Sequence, residues 1–266
     1  RKLWVILQPK VWNITINNIL GLSSYNNSDH PSLTIRADNN SGKVSINNLT
    51  NDRGFTQVEG HNIDIKGDIE SRAYNKDFDI QQLRTLIKGN VFDSNSKIKI
   101  GSVIVKNGRV DIEGNKDLDI SKNVFVEEGK GVLNIGGAIS NINIKGNLKA
   151  NSLTANSSQL GVNDALGRLN LITNGLVSLK AKTIELGDIK LNEEIGKNIS
   201  LESTDLNASI KVKNDIMVKN NTLTFTGTDK TKLVVGGRLY LDDGAIVNLK
   251  KIISAELDHL KMHINS

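Results

Sequence analysis

Residues 131–187 read GVLNIGGAISNINIKGNLKANSLTANSSQLGVNDALGRLNLITNGLVSLKAKTIELG. Triplets of the form apolar–x–apolar recur in it: Leu133-Asn134-Ile135, Ile142-Asn143-Ile144, Leu169-Asn170-Leu171 and Val177-Ser178-Leu179. Alternation at period two marks a strand with one buried face. Gly or Asn follows the first three triplets within a few residues, and both tolerate the positive φ that lets a chain turn. Strand, corner, strand, corner with few residues between predicts a chain that coils on itself. The expectation is an all-β fold, a right-handed parallel β-helix (β-solenoid).

The same rhythm runs outward in both directions. Toward the N-terminus lie Ile14-Thr15-Ile16, Leu33-Thr34-Ile35, Val44-Ser45-Ile46 and Ile63-Asp64-Ile65. The steps 14 to 33 and 44 to 63 are equal, and coils of about 20 residues suit a three-sided parallel β-helix. Asn pairs (Asn17-Asn18, Asn26-Asn27, Asn39-Asn40, Asn47-Asn48) fall where corners are expected, and stacked Asn side chains can bond along the axis. Toward the C-terminus the triplets continue through Ile199-Ser200-Leu201, Ile210-Lys211-Val212 and Leu233-Val234-Val235.

Three segments depart from the rhythm. Residues 1–12, with Trp4, Trp12 and Pro9, read as a terminal cap or junction, since solenoid ends differ from their middles. Residues 72–96 read as an insertion into the rungs of 13–250; over 79–89 apolar spacing of three and four predicts a short helix ending at Gly89. Residues 251–266 read as one last coil or a short C-terminal helix. The chain begins at Arg1 without Met and is expected to be a piece of something longer.

Composition supports the coil. Hydrophobic residues make up 38% and aromatic residues only 4%, so the core is aliphatic, as stacked rungs require. There is no cysteine, and a solenoid needs no disulfide framework because each coil is held by its neighbours. The longest apolar run, Leu3–Leu7, is far short of the roughly 18 residues of a membrane-spanning helix, and no signal peptide is visible. Net charge is +5 from 34 basic and 29 acidic residues. The charges are interspersed, as in Lys97, Lys99, Lys106, Arg109, Asp111 and Glu113, which reads as a solvated outer face. No basic run marks a nucleic-acid partner.

Chemistry-bearing motifs are few. His259 and His263 stand four apart without the carboxylate pattern of a metal site, and no metal or other cofactor is expected. Asp64, Asp68, Asp111, Asp117, Asp119, Asp242 and Asp243 are spread along the chain, with Asp64, Asp111 and Asp119 at the outward positions of their triplets. Stacking across coils could still bring such groups together, as carbohydrate-active β-helix enzymes require. No Gly-Gly-x-Gly-x-Asp repeat of a calcium β-roll occurs, and Gly129-Lys130-Gly131 reads as a turn. Eight Asn-x-Ser/Thr sequons begin at Asn13, Asn26, Asn39, Asn48, Asn156, Asn198, Asn207 and Asn220. They reflect either corners rich in Asn, Ser and Thr or glycosylation of an extracellular surface.

Asn62-Ile-Asp-Ile-Lys-Gly-Asp-Ile, Val132-Leu-Asn-Ile-Gly-Gly-Ala-Ile, Ile142-Asn-Ile-Lys-Gly-Asn-Leu and Ile210-Lys-Val-Lys-Asn-Asp-Ile together resemble the rungs of the filamentous-haemagglutinin and high-molecular-weight adhesins, exoproteins secreted by the two-partner route. The resemblance is one of pattern and spans most of 13–250. It implies export through an outer-membrane β-barrel partner, a bacterial cell-surface or secreted location, adhesion to a host-cell or bacterial receptor, and sugars on some sequons. The family's N-terminal secretion domain is not evident, and its rungs offer no functional residue to carry over. The expectation is a rigid, non-enzymatic segment of an adhesin. An autotransporter passenger or contact-dependent toxin stalk would share the fold, and a carbohydrate-active enzyme is the reading from another class.

Overall fold

The computed structural model describes residues 13–22, 33–72, 83–127, 131–155, 167–172, 175–191, 198–242 and 244–259. The strands are β1 (Asn13–Leu22), β2 (Leu33–Arg36), β3 (Lys43–Glu59), β4 (Asn62–Ser71), β5 (Leu83–Lys88) and β6 (Lys97–Val105). Next come β7 (Gly108–Ile120), β8 (Val124–Val126), β9 (Gly131–Ile144), β10 (Leu148–Thr154), β11 (Arg168–Leu171) and β12 (Leu176–Ala181). The last are β13 (Ile184–Leu191), β14 (Asn198–Ser203), β15 (Ser209–Val212), β16 (Ile216–Lys219), β17 (Thr222–Asp242) and β18 (Ile246–His259). All their pairings are parallel and join them into one sheet, which makes the fold a parallel β-helix.

Each long strand bends around corners, so one coil supplies three faces. In β3, residues 43–46 pair with β4 on face one, residues 49–51 pair further along β4 on face two, and residues 54–59 pair with β5 on face three. Alternate residues turn inward and stack. Face one stacks Val44, Ile63, Ile98, Leu118, Ile142, Leu179, Leu201 and Phe225. Face two stacks Leu49, Ile69, Val103, Val124, Leu148, Ile184, Ile210 and Leu233. Face three stacks Val58, Ile87, Ile112, Ile135 and Leu171. All are buried in one continuous core, aliphatic except for Phe225 among these stacked positions.

Coil length is uneven. Val44 lies opposite Ile63, 19 residues on; Leu118 lies opposite Ile142, 24 on; and Leu223 lies opposite Val247, also 24 on. The equal step from 14 to 33 is not a coil. Ile14 stacks on Val44, 30 residues on, and Leu33 starts β2, whose partner is the far end of β3. The helix expected over 79–89 is also corrected. Its described part, Leu83–Lys88, is β5, pairing with β3 on one side and β7 on the other. Leu83, Thr85 and Ile87 supply the inward period of two, and Leu86, though outward, is buried; that extra apolar residue creates the helical spacing. Residues 1–12 and 73–82 lie outside the described residues. Residues 251–259 complete β18, as a last coil would, and 260–266 lie outside.

Corners between faces one and two are tight. A β-carbon on Gly101 would stand 2.1 Å from the Gly67 carbonyl oxygen, and one on Gly67 would stand 2.0 Å from Asn48 Oδ1. Only glycine lets successive backbones approach so closely. At the same corner Asn48 donates from Nδ2 to Asn18 Oδ1 (3.0 Å) and accepts the Asp68 backbone N–H (3.1 Å). Asn47 bonds Asn17 in the same way. The axial Asn stacking expected from the sequence is therefore present.

One feature has no counterpart in the sequence rhythm. On face three β11 lies between β9 and β10, pairing in parallel with both. The segment 152–154 of β10 thus sits above a strand that follows it in the chain, and pairs on its other side with β13.

Candidate functional site

Two outer surfaces place chemistry-bearing groups together. The first is a groove of about 540 Å³ on face two, lined by Phe125, Glu127, Lys149, Asn151, Glu185 and Lys213 among others. Its floor follows from register: Phe125, Lys149 and Glu185 are successive outward positions of one stack, which Lys211 continues beyond the groove. Across it Lys213 Nζ lies 3.0 Å and Lys149 Nζ 3.9 Å from Glu185 Oε1. The hydrogen bond from Lys213 is the main reason the Glu185 carboxyl titrates below its ordinary value, with the Lys213, Lys149 and Lys211 charges adding to it against a desolvation cost. A general acid for glycoside cleavage needs the opposite shift.

This shift carries a signed expectation. A depressed folded-state value means Glu185 contributes its stability above the ordinary glutamate range and loses it as pH falls through the lowered value. The Glu185 carboxyl is expected to titrate, by NMR, below an unstructured glutamate, and Lys213→Met to return it toward the ordinary value. An unchanged midpoint in the variant would assign the shift to something other than Lys213.

The second surface is on face three. Outward positions stack in two columns: Phe55, Arg84, Arg109, Val132 and Arg168 form one, and Gln57, Leu86, Asp111, Asn134, Asn170 and Thr154 the other. Asp111 Oδ2 accepts from Arg84 Nε at 2.7 Å, and Oδ1 accepts from Arg109 Nε at 2.7 Å and from Asn134 Nδ2 at 2.8 Å. Asn170 Nδ2 then donates to Asn134 Oδ1 (3.1 Å) and Thr154 Oγ1 to Asn170 Oδ1 (3.0 Å). Hydrogen bonds thus run one way across four strands and end on a carboxylate. The Arg84 guanidinium lies 4.6 Å from the Phe55 ring centroid, within cation–π range.

Asp111 is a correction to the sequence reading. It does point outward, but it is only 1% exposed, whereas the other outward triplet carboxylates, Asp64 and Asp119, are partly exposed. Asp64 faces Lys43 at 3.5 Å, and Asp119 accepts from Asn143. Nor do these carboxylates cluster: Asp117 accepts from Asn141, and Asp68 lies 4.0 Å from Lys122. Asp242 is exposed, and Asp243 lies outside the described residues. Missing from the sequence reading were Arg84, Arg168 and the groove. The signal available for the first two was Arg at outward positions of strands that share face three, Arg84 beside Arg109 and Arg168 two strands further along.

Among the described residues no group of three or more His, Asp and Glu is arranged to hold a metal ion. His30 and His263 lie outside those residues, and the His259 side chain is not described. His61 is buried, with Nε2 3.8 Å from Asp93 Oδ2.

The sequons divide by geometry. Asn13 and Asn198 are exposed first residues of β1 and β14. Asn39 and Asn207 are exposed in turns, where Asp38 and Asp205 accept neighbouring backbone N–H groups. Asn220 is exposed with φ +48°, a left-handed position that suits Asn. Asn48 is also exposed, but its amide donates to Asn18 and accepts the Asp68 backbone N–H, so a sugar there would have to be attached at a nitrogen that already serves the corner ladder. Asn26 and Asn156 lie outside the described residues. Compared with known proteins, the chain matches no family model, no curated protein and no solved structure.

Proposed function

We propose that this chain is a rigid β-helical segment of a bacterial surface-exposed or secreted adhesin, attaching its bearer to host cells or to other bacteria. The observation that carries the reading is the unbroken parallel stack. On face two ten successive strands, β1, β3, β4, β6, β8, β10, β13, β15, β17 and β18, are joined in register. At about 4.8 Å a step, nine steps span about 43 Å. A chain that spends its residues on length holds outer faces at a distance from whatever bears it. The lowered Glu185 carboxyl does not suit the general-acid role in glycoside cleavage, and the rung texture resembling two-partner exoproteins supports export through an outer-membrane β-barrel partner.

The test is attachment. Beads coated with the purified chain are expected to adhere to epithelial cells or bacteria more than albumin-coated beads, with free chain competing. Failure to adhere to either class of cell would overturn the reading, and release of reducing sugar from a polysaccharide panel would transfer it to the enzyme class.

A further inference from the structure

We propose that Arg84 and Arg109 form a binding site for an oxyanion group, a sulfate, phosphate or carboxylate, on face three. Each guanidinium has five N–H donors in a planar fork that matches oxyanion geometry. Asp111 engages each through Nε alone. Arg109 Nη2 is buried and has no hydrogen-bond partner among the described residues, which is costly for a charged donor.

The charge balance points the same way. Among the described residues the Arg84–Arg109 pair meets one carboxylate, Asp111. In the adjoining column Lys88 and Glu113 are register partners of opposite sign, and Glu59 is paired with Arg36. Among the described residues Asp111 therefore offsets one guanidinium of the Arg84–Arg109 pair and leaves the other uncompensated. Both side chains keep about a fifth of their surface exposed, 21% and 20%, so the pair is open to a small anion at its exposed part, while Arg109 Nη2 is itself withdrawn from water. A charge-assisted bond is strongest in such a setting.

The pair is also held in place. Asp111 fixes both Nε groups, Asn134 fixes Asp111, and Phe55 supports the Arg84 plane. A site fixed before the ligand arrives loses little side-chain entropy on binding.

The experiment is calorimetric titration of the whole chain with sodium sulfate, at ionic strength matched with chloride, and in parallel with N-acetylglucosamine 6-sulfate. Saturable binding at one site is expected, weakened about tenfold or more by Arg109→Gln and unchanged by Arg238→Gln, a distant exposed arginine. Tighter binding of the sugar sulfate assigns the group to a glycan; tighter binding of inorganic sulfate assigns it to a free anion. No saturable binding of either probe, or equal binding by Arg109→Gln and wild type, overturns the site. Should Arg109→Gln fail to fold, the guanidinium NMR signals of Arg84 and Arg109 in the wild-type chain decide instead: they move with sulfate, or the proposal falls. Cell attachment is read separately, so failure here leaves the adhesion reading standing.

Discussion

Ile144→Asp is expected to unfold the chain or to lower its stability by more than about 3 kcal/mol, while Asn143→Asp, one residue away, costs about 1 kcal/mol or less. Ile144 is 4% exposed and packs in the face-one core. A carboxylate there enters a stack of aliphatic side chains with no partner to receive it. Asn143 points outward and donates from Nδ2 to Asp119 Oδ1 at 3.1 Å. The sequence alone suggests a neutral Asn143→Asp; the structure makes it mildly unfavourable, because Asp119 and position 143 are register partners and two like charges would then stand opposite each other. Urea denaturation separates the two variants. Equal midpoints would overturn the assignment of inside and outside on face one.

Asp111→Ala is expected to cost about 3–5 kcal/mol, against less than about 1 kcal/mol for Asp119→Ala. Both residues look alike in sequence, each in the middle of an apolar–Asp–apolar triplet. Asp119 loses one partly exposed hydrogen bond. Asp111 is nearly inaccessible, and its removal leaves Arg84, Arg109 and Asn134 without the acceptor on which all three converge. The cost lies in those orphaned donors more than in the lost contact itself. Denaturant midpoints for the two variants provide the check, and an Asp111→Ala as mild as Asp119→Ala would show that the network contributes little.

The fold was legible because period-two alternation is a local property. Val44-Ser45-Ile46 and Ile142-Asn143-Ile144 each declare a strand without reference to any partner. Which strands are neighbours is not local. The equal steps 14 to 33 and 44 to 63 looked alike, yet only the second is a coil, because pairing follows spatial closure and not distance along the chain. β5 was misread for a related reason. Leu86 is apolar although it points outward, and the added residue turned a period of two into an apparent helical spacing. The candidate site was the least legible. Arg84, Arg109, Asp111, Asn134 and Asn170 are spread over four strands, and nothing in any one triplet shows that they share a face. The groove on face two is likewise a product of stacking, drawing Phe125, Lys149 and Glu185 from three different strands.

The out-of-order position of β11 bears on how the molecule is made. A solenoid can in principle grow by simple accretion, each finished turn templating the next. Here that growth meets a checkpoint on face three. The end of β10 cannot settle directly on β9, because β11, synthesised later, must occupy the layer between them. Turns below and above this level can form in chain order, but the level itself closes only after the chain has doubled back, so what distinguishes it is the order of placement and not the sequence distance closed. The strand so placed brings Arg168 and Asn170 to face three, so the polar ladder is complete only once this level has closed.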